Sequence, residues 1–308
     1  MMKKWIAMTL AGALALSLAA CGGATSSSSE AASAAGSEAA SEAASVSTPA
    51  STAESTSGEG VVGGDPAEHT VEAIQAKGTL VVTTEAGYAP FEFLDDEGNV
   101  VGLDASLAQA LADDLGVELD IQNIAFDMVV AEVQAGNADM AIAGLTPNNE
   151  RKQSVDMSDM YYEGGQCVLV LEENLEKYST PESLVGENVA TQKAAVQETL
   201  MAEQFPEAVP LLLPDFPQCI ASLQVGDCAA VMIDTISAEQ FMETVDGLAI
   251  SDIPVEIDPE EGGNSVAVMK GNTDLLDWVN ERIAEYKAEG LLDEWFEQAQ
   301  AQAAEMGL

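Results

Sequence analysis

Short apolar runs alternate with amphipathic helical patterns along most of the chain, starting near Val71. Residues 79–84 are rich in β-branched side chains and predict a strand, and residues 118–124 and 138–143 predict two further strands. Between these runs, apolar residues recur at spacings of three and four, which indicates helices with one buried face. Strands and helices in alternation predict an α/β fold whose sheets are mainly parallel.

Acidic residues and glycines mark the expected ends of the first two helices. We expect Asp104 and Asp127 to cap the helix starts, because a carboxylate accepts hydrogen bonds from the unpaired N–H groups of a first turn. Gly116 and Gly136 follow the last apolar positions and indicate where these helices end.

The last part of the chain predicts a long helix that begins at Asn272 or Thr273 and ends at Gly290. A second, short helix is expected after it, over residues 291–296. The segment from Gln298 onwards is polar and rich in alanine, and we expect it to fray.

A helix–glycine–strand unit occurs twice, with its glycine at Gly136 and again at Gly226. Eight residues after each glycine the chain leaves its strand, at Gly144 and at Asp234. Ligands of open α/β sheets bind beyond the carboxyl ends of the strands, so two such units in facing lobes would direct these two residues into one cleft. Such units are common in α/β proteins, and the repetition alone does not establish a cleft.

The first residues resemble the export signal of a bacterial lipoprotein. Lys3 and Lys4 provide a basic start, and residues 5–20 form an apolar stretch that is short for a membrane span. The stretch ends in Leu-Ala-Ala-Cys at Cys21, where small residues would admit a signal peptidase and the thiol would carry the lipid. An ordinary signal peptide followed by a chance cysteine is the alternative.

Residues 22–65 consist almost entirely of Ser, Ala, Glu, Gly and Thr and contain no aromatic side chain. Such a segment cannot bury enough apolar surface to offset its ordering entropy, so we expect a disordered linker with a span of roughly 35 Å. A cleaved propeptide is the alternative.

The charge and composition of the chain, whose net charge is −43, argue against several classes of partner and site. With only 10 lysines and arginines, the chain could not neutralise many phosphates, which argues against nucleic acid as a partner. A single histidine, His69, placed ahead of the expected folded region, and the lack of a Cys-x-x-Cys pair give little support to a metal site or another cofactor. We interpret Cys167, Cys219 and Cys228 as small buried thiols, with a Cys219–Cys228 disulfide as the alternative.

Arg151 stands out because arginine is rare in this chain. It follows a predicted buried strand and a turn through Gly144, at the start of a helix that Asn148 or Asn149 would cap. Exposed backbone N–H groups and a nearby guanidinium could together bind a carboxylate. On pattern alone, an arginine at a helix start is more often a surface charge, as we expect for Arg282.

Residues 144–159 resemble the signature of the bacterial extracellular solute-binding proteins of family 3, the amino-acid receptors of ABC importers. The matching positions are Glu150-Arg151-Lys152, Val155-Asp156, Ser158-Asp159 and Tyr161-Tyr162. Further matches are residues 85–93, Gly98, residues 102–104, residues 184–186 and Lys270-Gly271. The resemblance runs in order from about residue 71 to residue 297.

The resemblance implies a periplasmic-binding-protein-like (type II) α/β fold, in which two lobes joined by two hinge strands close on a ligand. Lobe 1 would comprise residues 66–165 and 264–308, and lobe 2 residues 166–263. The implied partners are a small-molecule amino acid, an ABC permease in the membrane with its cytoplasmic ATPase, and the membrane itself through the lipid anchor. The protein would be a monomer outside the cytoplasm.

The resemblance also implies how the head group of an amino acid is held. Arg151 would bind the α-carboxylate, assisted by Gly144, Leu145 and the hydroxyl of Thr146. Asp234 would bind the α-ammonium group, although a carboxylate at a strand end can also be a helix cap.

The ligand side chain would be held by other residues. Tyr88 and Phe126 match aromatic side chains that sandwich it, and Glu85 matches a position that touches its distal polar group. The aromatics could instead be core residues, and Glu85 a solvated carboxylate. Residues 192–198 depart from the family pattern, which has a glycine and small hydroxyl residues there; Gln192 could compensate, and the helix start near Val196 could offer backbone N–H groups.

These residues predict a substrate-binding lipoprotein of an ABC importer that binds a polar or cationic L-amino acid by lobe closure. An amino-acid sensor for a signalling partner is one alternative. A dehydratase-like enzyme on the same scaffold is another, and the lack of a Gly-x-Ser-x-Gly elbow argues against it.

Overall fold

The computed structural model describes residues 63–308. The expected export signal, Cys21 and nearly all of the expected linker lie outside the described residues. The strands are β1 (Thr79–Thr84), β2 (Gly87–Tyr88), β3 (Glu92–Leu94), β4 (Val100–Val101), β5 (Glu118–Asn123), β6 (Met140–Ala141), β7 (Val155–Glu163), β8 (Gln166–Leu171), β9 (Asn188–Gln192), β10 (Val209–Leu213), β11 (Ala230–Asp234), β12 (Leu248–Ile250) and β13 (Gly263–Met269).

The α-helices alternate with these strands, as the hydrophobic pattern predicts. They are α1 (Val71–Lys77), α2 (Leu103–Leu115), α3 (Phe126–Ala135), α4 (Arg151–Ser154), α5 (Val196–Gln204), α6 (Phe216–Val225), α7 (Thr235–Thr244), α8 (Thr273–Glu289) and α9 (Leu291–Met306). None of the helices within residues 63–308 combines the length and apolar character that a membrane span requires.

The strands form two five-stranded sheets and a small three-stranded sheet. The first sheet has the order β5-β1-β6-β13-β7 and the second β10-β9-β11-β8-β12, while β2, β3 and β4 form the small sheet. In each large sheet three neighbouring strands are parallel and the fourth, β13 or β8, runs antiparallel to them. The last strand, β7 or β12, pairs antiparallel with the fourth and so runs in the direction of the first three. The expectation of mainly parallel sheets is therefore only partly right, because one strand at each crossing between the sheets, β8 or β13, runs in reverse.

The chain crosses between the two large sheets twice, once after β7 and once before β13. The two crossings lie side by side, since the Gly164 backbone N–H donates to the Gly262 carbonyl at 2.9 Å. Two sheets joined by two adjacent connections form a two-lobed α/β fold, as predicted.

Each large sheet is buried between helices that follow its strands. Leu80 of β1 and Leu107 of α2 are fully buried in the first lobe, and Val168 of β8 is fully buried with Met201 of α5 beside it in the second. Burial of one such side chain stabilises the fold by about 1.5–3 kcal/mol. Packing on each sheet thus fixes the positions of the loops at the strand ends.

Two expected helix caps were wrong. Helix α2 begins after Gly102, where an added Cβ would lie 2.2 Å from the Phe91 carbonyl oxygen, so no side-chain cap fits at this place. Asp104 lies inside the first turn of α2, and Asp127 is likewise the second residue of α3. Both carboxylates are used elsewhere in the structure, as described below.

The expected fraying of the C-terminal segment was also wrong. Helix α9 continues to Met306, and its Ala299 and Ala303 pack against Ala89 and Phe93 of the small-sheet region. Alanines four residues apart form a flat stripe on a helix, which allows close packing. The start of α8 is as predicted, because the Asn272 side chain accepts from the Leu275 N–H.

Two polar groups differ from the simplest expectation, and the cysteines agree with it. His69 lies inside the fold, where its Nδ1 is 2.7 Å from Oδ1 of the buried Asp139, so the histidine belongs to the folded region. Arg282 is only 24% exposed and its Nη1 lies 2.7 Å from Glu285, so it is a partly buried ion pair. The cysteines Cys167, Cys219 and Cys228 are all free and buried, as interpreted from the sequence.

Candidate functional site

A cleft lies between the two large sheets and is lined by residues of both. Its inner part encloses about 20 Å³, room for one or two water molecules, and a wider part of about 710 Å³ opens beyond Arg151. The inner part is lined by Tyr88, Glu92, Phe126, Ala143, Gly144, Thr146, Arg151, Gln166, Gln192, Ala195, Val196, Gln197, Phe216 and Asn264. Most of the residues that the sequence singles out are therefore brought together here.

Arg151 is a buried cation at the centre of the cleft. Asn148 accepts from the Arg151 backbone N–H at 2.8 Å, as predicted, and fixes the start of α4. The guanidinium donates to the Thr146 carbonyl at 2.9 Å and to the Ala194 carbonyl across the cleft at 3.1 Å, and it lies over the Phe126 ring. Burial lowers the pKa of Arg151 to about 10, so it is still charged at neutral pH. No ion pair within residues 63–308 includes Arg151.

The loop that follows β6 passes closely beneath an aromatic ring. Gly144 has a φ of 56°, and an added Cβ would lie 2.8 Å from the Tyr88 ring, so only glycine fits. Its N–H donates to Asp104 Oδ2 at 2.8 Å, which explains why Asp104 does not cap a helix. Thr146 lines the inner cleft, whereas Leu145 is fully buried and lines the wider part.

Tyr88 and Phe126 both line the inner cleft, but their surroundings differ. Tyr88 is 8% exposed and stacks on Phe91 and on Phe216 of the second lobe, with ring centroids 5.2 and 5.1 Å apart. Phe126 instead lies beneath the guanidinium of Arg151. Tyr88 therefore belongs to both the core and the cleft wall. The sequence had offered these two roles as alternatives.

Asp234 ends β11 and is 5% exposed. Its Oδ1 accepts from the N–H groups of Ile236 at 2.9 Å and Ser237 at 3.4 Å, so the carboxylate does cap a helix. Burial raises the pKa of Asp234 to about 7. Asp234 does not line the inner cleft, but burial and then the charge of Asp234 raise the pKa of Tyr88, so the carboxylate lies near this side chain.

Glu85 is engaged by the second lobe. Gln192 Nε2 donates to Glu85 Oε2 at 2.9 Å and to the Pro214 carbonyl at 3.0 Å. Burial raises the pKa of Glu85 to about 7, although the Gln192 hydrogen bond lowers it. Gln192 therefore contacts an acid rather than standing free for a ligand carboxylate. Val196 is the first residue of α5, and its place in the cleft wall directs the positive helix end towards the cleft.

A third contact between the lobes lies at the mouth of the wider part. Lys193 Nζ is 2.8 Å from Asp127 Oδ2, which explains why Asp127 is not a helix cap. Together with the contacts of Arg151 and Gln192, this ion pair draws residues 192–194 of the second lobe over the first. The segment that departs from the family pattern is thus the one that closes the cleft.

Glu92 is the main cleft residue that the sequence analysis did not assign. It is fully buried, and neither of its carboxyl oxygens meets a hydrogen-bond donor from residues 63–308. Burial raises its pKa well above the usual range, and neighbouring Asp104 raises it further. Glu92 pairs with Tyr88 across the β2–β3 hairpin, so strand alternation places both on one face. This alternation of side chains was the feature of the sequence that could have indicated Glu92.

Phe216, Gln166, Gln197 and Asn264 were also missed. Gln197 Nε2 donates to Gln166 Oε1 at 2.7 Å within the second lobe, and Phe216 completes the aromatic stack on Tyr88. Each comes from a different element, and no local motif connects them.

Two lobes that close over a buried cation and several buried acids define a two-lobed protein that binds a small amphoteric solute. The chain belongs to the bacterial extracellular solute-binding proteins, family 3, whose pattern matches residues 80–300. This membership confirms the resemblance and the fold class predicted from the sequence, and it places the protein outside the cytoplasm.

Several characterised proteins are similar along most of this chain. The L-cystine-binding protein TcyJ of Escherichia coli (strain K12) is 31% identical over 234 residues, which are 74% of this chain and 86% of TcyJ. The arginine-binding extracellular protein ArtP of Bacillus subtilis (strain 168) is 30% identical over 71% of this chain and 87% of ArtP.

Solved structures agree with the sequence relatives. An amino acid ABC transporter substrate-binding protein from Streptococcus pneumoniae Canada MDR_19A, bound to L-arginine, is 39% identical with a TM-score of 0.71. The similarity covers 75% of this chain and 97% of that one. These relatives are binding proteins, in agreement with the expectation that the chain is not an enzyme.

Proposed function

We propose that this protein binds a cationic or polar L-α-amino acid, with L-arginine as the first candidate, and delivers it as a monomer to an ABC permease that a cytoplasmic ATPase drives. The observation that carries the proposal is the buried charge of Arg151, which forms no ion pair with a carboxylate of residues 63–308. A buried charge is costly unless it is paired, so an anion from outside is the natural partner.

The α-carboxylate of an amino acid supplies that anion. Arg151 would bind it between the Thr146 loop and the start of α5 at Val196, where a guanidinium and a positive helix end face the same space. Asp234, whose charge acts on Tyr88, would bind the α-ammonium group. A zwitterionic head group thus meets one cation and one acid.

The distal end of the ligand would meet a different environment. Glu92 is buried and Glu85 is partly buried, both in the first lobe, and the charge of Glu85 acts on Glu92. Two neighbouring acids without a neutralising cation favour a positively charged side chain over an anionic one. The relatives that bind arginine support this choice, and the one named for L-cystine supports keeping polar neutral ligands in the proposal.

Closure would complete the site because its parts come from both lobes. Arg151 and Glu85 belong to the first lobe, whereas Ala194 and Gln192 contact them from the second. A ligand between the lobes would add contacts to both and favour the closed form, which the permease would recognise.

A thermal-shift screen against the common L-amino acids tests the proposed function. At about 1,000 times its dissociation constant, a ligand adds roughly 4 kcal/mol to the free energy of unfolding. For a protein of this size we expect the melting temperature to rise by about 10 °C with arginine or another cationic or polar amino acid. If no such amino acid raises it, the proposal is wrong.

Glu85→Gln should weaken the binding of a cationic ligand selectively. Loss of a charged hydrogen-bond partner costs about 1.5–3 kcal/mol, or roughly a 10- to 100-fold increase in the dissociation constant. Isothermal titration with arginine and with its neutral analogue citrulline measures the selectivity. Asp215→Asn, at a nearby partly exposed acid whose charge acts on Glu85, is the matched control. An unchanged preference for arginine would exclude a direct role for Glu85.

We also propose that Cys21 carries a lipid that anchors the protein to the outer face of the cell membrane, with residues 22–65 as the tether. The support is the sequence Leu-Ala-Ala-Cys after a short apolar stretch. Each buried CH₂ of an acyl chain contributes about 0.8 kcal/mol to membrane binding.

Cys21→Ser should therefore move the protein from the detergent phase to the aqueous phase in a Triton X-114 partition of expressing cells. Incorporation of labelled palmitate should be lost at the same time. Cys219→Ser, at a buried thiol of the folded region, is the control and should keep the label. A wild-type protein without label would disprove the anchor.

A further inference from the structure

Glu92 and Asp104 form a pair of buried carboxyl groups at the wall of the cleft. Both are at most 1% exposed. Both carboxyl groups meet the backbone of Gly144: Asp104 Oδ2 accepts from its N–H at 2.8 Å, and Glu92 Oε1 would lie 3.7 Å from a Cβ added there. Asp104 Oδ1 accepts from the Tyr161 hydroxyl, also at 2.8 Å. Glu92 lines the inner cleft, and both its oxygens lack a donor from the part of the chain that the structure describes.

Two neighbouring carboxylates can only accept hydrogen bonds, and their charges repel each other where water is excluded. Such a pair is stable when one member keeps a proton and donates it to the other. Both oxygens of Asp104 already have donors, which favour its charged form, so the proton belongs on Glu92. The pKa values agree: burial raises that of Asp104 to about 6, and burial and then the Asp104 carboxylate raise that of Glu92 well above its usual range.

The groups that face Glu92 from neighbouring elements are acids or phenols. They are Glu85 from the loop after β1, Tyr88 from β2, Asp104 from α2 and Tyr161 from β7. Arg151 lines the same cleft but makes no hydrogen bond to Glu92. A cation that reached Glu92 would therefore be the first to neutralise it.

We propose that Glu92 and Asp104 share one proton in the ligand-free cleft, and that capture of a cationic side chain beside Glu92 releases this proton to solvent. The inference rests on the proposed function, because it requires a ligand cation in the cleft. It makes Glu92 a residue that distinguishes cationic from neutral ligands, and it links their affinity to pH.

The direction of the linkage follows from the two states of Glu92. A nearby cation lowers the pKa of the carboxyl group, so the bound state holds fewer protons than the free state. Affinity for the cation therefore rises with pH between the pKa of the bound state and that of the free state. One released proton gives at most a tenfold gain in affinity for each pH unit.

The experiment compares arginine with citrulline by isothermal titration of the wild-type chain, from about pH 5 to about pH 8.5, in two buffers of different ionisation heat at each pH. The difference in heat between buffers counts the protons released. Citrulline has the same shape but carries a neutral urea group, so contributions from the amino-acid head group cancel. We expect arginine to release about one more proton than citrulline and to gain up to tenfold in relative affinity per pH unit.

Two variants assign the proton. The Glu92→Gln variant has no carboxyl proton to release at this position. The Asp104→Asn variant offers Glu92 an amide donor, which would let Glu92 ionise before the ligand arrives. Both variants should therefore lose the excess proton release. Glu85→Gln should keep it above about pH 8, where Glu85, with a pKa of about 7, is already ionised.

The outcomes separate the two proposals. Arginine that binds the wild type without releasing more protons than citrulline at any pH overturns this inference alone. An undiminished excess in Glu92→Gln does the same. Failure of arginine and of every other cationic amino acid to bind would overturn this inference together with the cationic part of the proposed function.

Discussion

Replacement of Arg151 by alanine should abolish the rise in melting temperature that an amino acid causes. Truncation of one partner of a buried, hydrogen-bonded charge pair costs about 2–5 kcal/mol, which raises the dissociation constant roughly 30-fold to several thousand-fold. No other cation lines the inner cleft of residues 63–308, so no other side chain would take over the α-carboxylate.

The ligand-free stability of an Arg151 variant should respond differently. Arg151 is buried without an anionic partner, so its removal relieves a desolvation cost even as two hydrogen bonds to carbonyl groups are lost. Arg151→Met, which keeps most of the volume, should therefore melt no lower than the wild type without ligand. Thermal melts with and without arginine measure both effects. A variant that melts far lower but keeps its ligand-dependent shift would show that Arg151 is structural.

The Asp234→Asn variant should lose nearly as much affinity for the amino acid as the Arg151→Ala variant, but it should retain its fold. The carboxylate performs two tasks, because it caps α7 through Ile236 and Ser237 and stands as the proposed partner of the α-ammonium group. Asparagine caps a helix as well as aspartate does, but it carries no charge. We expect an unchanged melting temperature without ligand and an increase in the dissociation constant of roughly 30-fold or more.

Asp234→Ala is the informative control, since it removes the cap as well. It should lower the free energy of unfolding by about 1 kcal/mol and abolish binding. Titration with arginine and chemical denaturation separate the two losses. If the asparagine variant binds arginine as tightly as the wild type, the carboxylate is a cap and nothing more.

Much of the fold could be predicted because it depends on local periodicity. Residues 79–84 form β1 as predicted, and α8 begins at the expected cap Asn272 and ends at Gly290. The full length of the C-terminal helix was not predicted. Ala299 and Ala303 stabilise it only by packing against a matching flat surface, and the spacing of residues in the sequence does not reveal that surface. The contacts of Asp104 were not predicted for a similar reason: its partners, Gly144 and Tyr161, are distant in the sequence.

The site was predictable where one segment contains it. Gly144, Thr146 and Arg151 lie within eight residues, and the structure brings them to one wall of the cleft. Gln192 and Glu92 were harder, because the first meets Glu85 from another lobe and the second is distinguished only by its burial. An acidic residue is usually exposed, so its burial cannot be inferred from composition in a chain with 53 acids.

The hinge lies beside the proposed ammonium site. A Cβ at Gly164, in the crossing that is hydrogen-bonded to Gly262, would lie 3.0 Å from Oδ2 of Asp234 and 2.8 Å from the Tyr162 ring. A substitution there would disturb lobe motion and the carboxylate together. A substitution of Gly164 would therefore change the rate of ligand release and the choice of solute at the same time.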